Sequence, residues 1–276
     1  MDARNLSLKT IRLKALKISA ELVLSARSEK EQSLTRTNAA LSGYALFNLG
    51  IESKIRLFMN DEINIAARLS QDQYILSSTD DLRMLYGEPN ERSVLKVSDF
   101  LDENSRAFIE ASPFAILATS DAAGNLDCSP RGDRSGLAYV LNDKTLLLPD
   151  RRGNNRTDSL KNIIENPNVA LLFFVPTVNE TFRVGGTAKI SADPDLLKHF
   201  AVEGKAPKTI LIVRVCEAFA QCSRALVRSE LWKPEKHFSA EKVPTMATIL
   251  AARMNDEFDA EEYDRELPER VRKTLY

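Results

Sequence analysis

The densest group of residues suited to holding an anion is the segment 149–168, PDRRGNNRTDSLKNIIENPN. Arg151, Arg152 and Arg156 crowd around Gly153, Asn154 and Asn155, and Thr157 or Asp158 stands where the cap of a following helix belongs. Unpaired amides at a helix start, the helix dipole and a planar guanidinium together make a phosphate site. A solvated basic turn ahead of a capped helix reads the same residues equally well. A second cluster, Ser129, Pro130, Arg131, Gly132, Asp133 and Arg134, reads alone as a surface loop with an Asp–Arg pair of little energetic weight. Taken with the first cluster it gains meaning, because neighbouring strands can aim Arg131 and Arg156 at one phosphate. Neither a Gly-x-Gly-x-x-Gly fold nor a Walker loop is present. Cys128 and Cys222 have no obvious base beside them and read as small hydrophobes rather than nucleophiles.

The elements that would position these clusters are short and β-prone. After a helix expected over 97–111, an apolar run 114–119 meets the turn signal 121–124, and 125–129 returns beside it. A second pair, 137–141 and 145–148, flanks Asn142 and Asp143. Runs 169–175, 181–190 and 209–215 give three more strands, and 159–165 a helix between them. Closely spaced antiparallel strands with one inserted helix predict a mainly β fold, a closed barrel decorated by helices. Before about residue 75 the spacing is helical: Leu13, Leu16, Ala20, Val23 and Leu24 form one run, and Phe47, Ile51, Ile55 and Phe58 another. Asp80 or Asp81 is expected to cap a short helix at 82–86 that Gly87, Glu88 and Pro89 end. The expected organisation is a helical N-terminal extension over 1–78, a barrel domain over 79–240 and a helical tail over 241–276.

Composition narrows the function classes. The 38 Lys and Arg against 39 Asp and Glu leave a formal charge of −1, no surplus with which to neutralise a nucleic-acid backbone. Three cysteines without Cys-x-x-Cys spacing argue against a disulfide framework or zinc knuckle and fit a reducing cytoplasm. Two histidines, His199 and His237, are too few for histidine-rich metal sites, so no metal is expected. No run approaches the roughly 18 apolar residues of a membrane span. Arg4, Lys9, Arg12, Lys14 and Lys17 against Asp2 give the first twenty residues the charge of a transit segment without the apolar block of a secretory signal.

Three stretches, SPFAILATSDAAGNLDCSPRGD, LPDRRGNNRTDSLKNIIENPNVALLFFVP and ETFRVGGTAKI, resemble the pyridoxamine 5′-phosphate oxidase-like family over about 85–232. The order of strand pair, strand pair, basic loop, helix and Asn-Pro-x-Val strand is the family's order. The resemblance implies an FMN-binding split β-barrel that dimerises, with each flavin between two subunits. By position it places Ser129, Pro130 and Arg131 beside the flavin, and Asn155, Arg156 and Ser159 at its phosphate. It sets Arg183 at a polar contact from the neighbouring subunit, and Arg228, Ser229 and Trp232 where the chain returns toward the flavin. Trp232 reads equally well as a core or interface anchor. Oxidases of pyridoxamine phosphate end in an Arg-x-His pair, whereas here Glu235 and Lys236 precede His237. The expected activity is therefore an FMN-dependent oxidoreductase of some other small molecule, with no catalytic acid assigned. The alternatives are a flavin-binding or storage protein without turnover, and an apo barrel used for protein interaction. Because every expected flavin contact lies downstream of it, Met59 is a plausible internal start, and a chain beginning there is expected to fold and bind FMN. Arg156→Ala is expected to weaken FMN binding more than Arg151→Ala.

Overall fold

The computed structural model describes residues 74–134, 136–237, 239, 242–254 and 258–276. The chain divides into two compact units, Met1–Gly87 and Glu88–Tyr276. In the first, helix α1 (Thr79–Tyr86) starts at Ser78, not at Asp80 or Asp81. Ser78 accepts from the Asp81 amide while the Asp81 carboxylate accepts from the Ser78 amide, a reciprocal cap that satisfies two donors. The helical runs read between Leu13 and Phe58 lie outside the described residues.

The second unit opens with α2 (Glu91–Leu95) and α3 (Glu103–Ala111) rather than the single helix expected over 97–111. Asp102 claims the N-cap of α3 by accepting from Ser105 N at 2.7 Å, and Ser98 bridges to Ala218, so the stretch between the helices is held extended. Seven strands follow: β1 (Phe114–Ser120), β2 (Leu126–Gly132), β3 (Tyr139–Asn142), β4 (Thr145–Asp150), β5 (Asn168–Phe174), β6 (Thr181–Ser191) and β7 (Thr209–Gln221). All pairings are antiparallel, in the order β2-β1-β5-β6-β7-β4-β3. Among the described residues the closure expected from strand spacing is absent, since β2 and β3 each have one strand neighbour, and the split barrel implied by the family resemblance is what forms. The barrel is split.

Strand β7 runs six residues beyond the expected end at Val215, paired with β6 to Gln221. Its last six residues, CEAFAQ, lack the β-branched run of 209–215, so no strand-forming pattern carries past Val215. A register shift at Gly185 and Gly186 lets the two long strands stay paired while bending. A Cβ on Gly186 would stand 2.0 Å from the Arg214 carbonyl oxygen, so only glycine fits there.

The core follows the two-residue period of the strands. Leu117, Leu146, Leu148, Leu171, Phe173, Val184 and Val213 are fully buried along one face, with Ile109 of α3 packed among them. Helix α4 (Asp158–Glu165) buries Ser159 and Ile163. Asn162 Nδ2 donates to Thr119 Oγ1 at 3.1 Å and Asn166 Nδ2 to Ser120 Oγ at 2.8 Å, so two side chains moor it to β1. After α5 (Pro194–His199) and α6 (Arg224–Ser229), the tail contains α7 (Met246–Ala251) and α8 (Ala260–Thr274). No helix among the described residues is long and apolar enough to cross a membrane.

Candidate functional site

The end of β4 meets the start of β7 with Asp150 opposite Thr209. From there the chain enters the loop 151–157 and turns into α4, which lies across β1 and β2. These elements enclose a cleft of 610 Å³ whose lining includes Asp127, Ser129, Arg131, Asp150, Ser159 and Thr209. On β2 the alternation sends Asp127, Ser129 and Arg131 inward and leaves Cys128 and Pro130 exposed. The three inward residues bring an acid, a hydroxyl and a guanidinium to one wall.

A continuous network joins that wall to α4. Ser129 Oγ donates to the Asp127 carboxylate, and Ser159 Oγ donates to Asp127 Oδ2 at 2.5 Å. Arg131 Nη2 donates to Ser159 Oγ at 3.0 Å, and Arg131 Nη1 lies 3.5 Å from Asp150 Oδ1. Burial pushes the Asp150 carboxyl above its usual range, against the opposing pull of the Arg131 and Lys208 charges. Among the described residues three buried side-chain atoms have no partner, and two of them, Arg131 Nε and Thr209 Oγ1, belong to residues that line this cleft, the third being Arg183 Nε outside it. Buried donors without acceptors are costly, about 1–3 kcal/mol each, so the pair suits a ligand with acceptor oxygens.

The loop and helix start complete the cleft. Asn155 and Thr157 adopt left-handed backbone conformations with φ of 59° and 58°. Thr157, a β-branched residue, bears strain there of roughly 1–3 kcal/mol, the kind of local cost found at ligand sites. Neither expected residue caps α4: Thr157 occupies the N-cap position without a side-chain bond to the helix amides, and its hydroxyl donates to the Arg156 carbonyl. Asp158 is paired with Arg156 Nε at 2.7 Å, and that hydrogen bond holds its carboxyl below the usual range. The helix start therefore presents its amides uncapped beside the polar wall.

Of the residues expected from sequence, Ser129, Arg131, Asn155, Arg156 and Ser159 line this cleft. Arg156 is 74% exposed and already neutralised by Asp158, a poorer anion contact than Arg131. Pro130 is on the outer face of β2. Arg183 lies outside the cleft in the single chain, paired with Glu217 at 3.0 Å and set over the Phe219 ring. Arg228 and Ser229 are exposed at the end of α6, and Trp232 Nε1 donates to the Val178 carbonyl at 2.8 Å, an anchor for the loop between β5 and β6. His237 Nε2 bonds the Leu231 carbonyl. Sequence reasoning missed Asp127, Asp150, Lys208 and Thr209. Asp127 was visible as the residue two before Ser129 and four before Arg131 on one strand face. Asp150 and Thr209 meet only through cross-strand pairing, which leaves no local signal.

Residues 101–222 match the family model described as pyridoxamine 5′-phosphate oxidase. The barrel belongs to the pyridoxamine 5′-phosphate oxidase family. This match ends short of Arg228, Ser229 and Trp232 and contains the whole cleft. Similar solved structures include HupZ of Group A Streptococcus, with 22% identity over 44% of this chain and 93% of that chain and a TM-score of 0.37. General stress protein 26 of Bacillus anthracis shares 17% identity over 41% of this chain and 88% of its own, with a TM-score of 0.32. A Clostridium acetobutylicum protein related to general stress protein 26, of the pyridoxinephosphate oxidase family, shares 14% over 43% and 91%, with a TM-score of 0.31. No curated protein matches the chain. The pyridoxamine 5′-phosphate oxidase family consists of flavin-binding split barrels and includes oxidoreductases.

Proposed function

We propose that the cleft holds the phosphate end of FMN and that the protein is an FMN-dependent oxidoreductase of a small molecule, working as a cytoplasmic homodimer. The observation that carries this reading is that Arg131 and Thr209, which line a polar cleft beside the uncapped start of α4, each keep a buried polar atom, Nε and Oγ1, without a partner among the described residues. A phosphate offers acceptor oxygens to a guanidinium, a hydroxyl and helix amides at once. Cys128, Cys216 and Cys222 stand in no disulfide, in keeping with a reducing compartment.

In this reading Arg131 binds the phosphate with the N–H that has no partner among the described residues. Ser159 keeps the guanidinium in plane by accepting from Nη2, and Asp127 fixes the Ser159 hydroxyl by accepting its proton. Bound flavin supplies electron or hydride transfer. Arg183, Arg228, Ser229 and Trp232 are proposed to reach the flavin of the other subunit or its ring. No histidine lines the cleft, so proton transfer falls to serine, arginine, water or substrate.

The visible spectrum of protein purified from cells tests the cofactor: flavin bands support the reading, and colourless protein that refuses added FMN contradicts it. Turnover with NADH or NADPH and candidate acceptors then separates an enzyme from a flavin carrier, which binds flavin without substrate-dependent reoxidation.

A further inference from the structure

Adjoining the cleft, and sharing Arg151, Arg152, Asn155 and Lys208 with it, lies a hollow of 240 Å³ whose own residues, Lys205, Pro207 and Tyr276 among them, the flavin reading leaves without a role. Arg151, Arg152, Lys205 and Lys208 converge on it, with Asn155, Pro207 and Tyr276 completing the wall. No Asp or Glu side chain lines it. Arg151 is neutralised, its Nε 2.6 Å from Asp133 Oδ2. Lys208 has only Asn155 Oδ1 at 3.4 Å, and Arg152 and Lys205 make no ion pair among the described residues.

Exposed basic residues are ordinarily a solvated face, but here Arg151 and the backbone of Lys205 are fixed. Lys205 closes a tight turn in which Val202 and Lys205 exchange both backbone hydrogen bonds, with Glu203 and Gly204 left-handed at φ of 51° and 77°. That turn places Lys205 at the hollow, while Glu203, the nearest acid in sequence, is drawn off by Arg134 at 2.9 Å. Arg151 Nη1 donates to the Phe200 carbonyl at 2.8 Å and so ties the turn's approach to the cleft loop. On the far side the Tyr276 hydroxyl donates to Asp133 Oδ1 at 2.8 Å, and its ring lies under the guanidinium of Arg151 at 5.6 Å. Converging like charges in a concavity repel each other unless a counter-anion sits among them.

We propose that this hollow seats a second phosphoryl group, next to the one in the cleft. The inference rests on the cleft being the site of the flavin phosphate. The group has two possible sources: the phosphate of a separate small molecule, or the second phosphate of a longer flavin nucleotide. Both present the same oxygens to Lys205, Lys208 and Arg152.

The test uses the full chain and the variant Lys205→Gln, since Lys205 lines the hollow and not the cleft. Inorganic phosphate is titrated calorimetrically at low salt into FMN-loaded protein, and FMN and FAD affinities are measured in parallel. Phosphate binding to FMN-loaded protein that falls about tenfold in the variant, with FMN affinity within about twofold, supports a separate anion. A preference for FAD over FMN that the variant loses supports a second nucleotide phosphate. Equal phosphate affinity in both proteins with no FAD preference overturns the proposal. Should the chain bind no flavin, the cleft reading fails, and phosphate titration of the unloaded protein and its Lys205→Gln variant still decides the hollow.

Discussion

Arg131 and Ser159 are 28 residues apart and joined at 3.0 Å, Nη2 to Oγ, so the inner face of β2 and the first turn of α4 meet through one charged hydrogen bond. The bond leaves Nε of the same guanidinium buried and unpartnered. Arg131→Ala should therefore weaken FMN binding by about 1.5–3 kcal/mol, tenfold or more, while riboflavin affinity changes little. Arg156→Ala should cost less, because Arg156 is exposed and already paired with Asp158. Flavin fluorescence titrations rank the variants, and a larger loss for Arg156→Ala would move the phosphate toward solvent.

Asp150 competes with a bound phosphate for Arg131. Its carboxyl, raised by burial above the usual 3.8, stays protonated to higher pH than an ordinary aspartate. As pH rises through that titration the charge appears, so FMN affinity should fall with rising pH. Asp150→Asn should abolish this dependence and tighten FMN by roughly 1 kcal/mol at neutral pH. Riboflavin serves as the control. The linkage has the same sign for stability: the folded chain binds more protons than the unfolded one between the two carboxyl values, so the contribution is complete below 3.8 and lost as pH rises through the folded value.

Gly186→Ala should be strongly destabilising, by about 1–3 kcal/mol or more, since the new Cβ meets backbone at Arg214 rather than a movable side chain. Thermal melts check it. At Gly185 the obstacle is the Glu217 side chain, 2.8 Å away, so Gly185→Ala should cost less while loosening the Arg183–Glu217 pair.

The strands were legible in the sequence because each buries one face, and alternation survives in 114–119 and 169–175 as a run of apolar residues. The continuation of β7 past Val215 was not, since it depends on pairing with β6, and the split between β2 and β3 came only from the family resemblance and not from strand spacing. The anion cleft was half legible. Arg131, Asn155, Arg156 and Ser159 carried local signals of turn and helix start, but their ranking did not, because the Arg156–Asp158 pair and the Arg131–Asp150 contact arise only on folding. The role of Tyr276 at Asp133, 143 residues away, left no trace in sequence.

If each flavin lies between two subunits, flavin binding and dimerisation are linked by mass action. Sedimentation velocity should show the dimer dissociating at a lower dilution when FMN is removed. A monomer retaining one FMN per chain would oppose the dimeric site. A chain shortened to begin at Met59 should sediment and bind FMN as the full chain does, since the cleft lies wholly downstream.

The most direct test of the flavin reading is a parallel titration of the full chain with FMN and riboflavin, read by quenching of flavin fluorescence. Binding of one FMN per chain, with riboflavin at least about tenfold weaker, is the expected result, because only FMN carries the phosphate that Arg131 Nε, Thr209 and the α4 amides would receive. Equal affinity for the two, or no affinity for either, would contradict it.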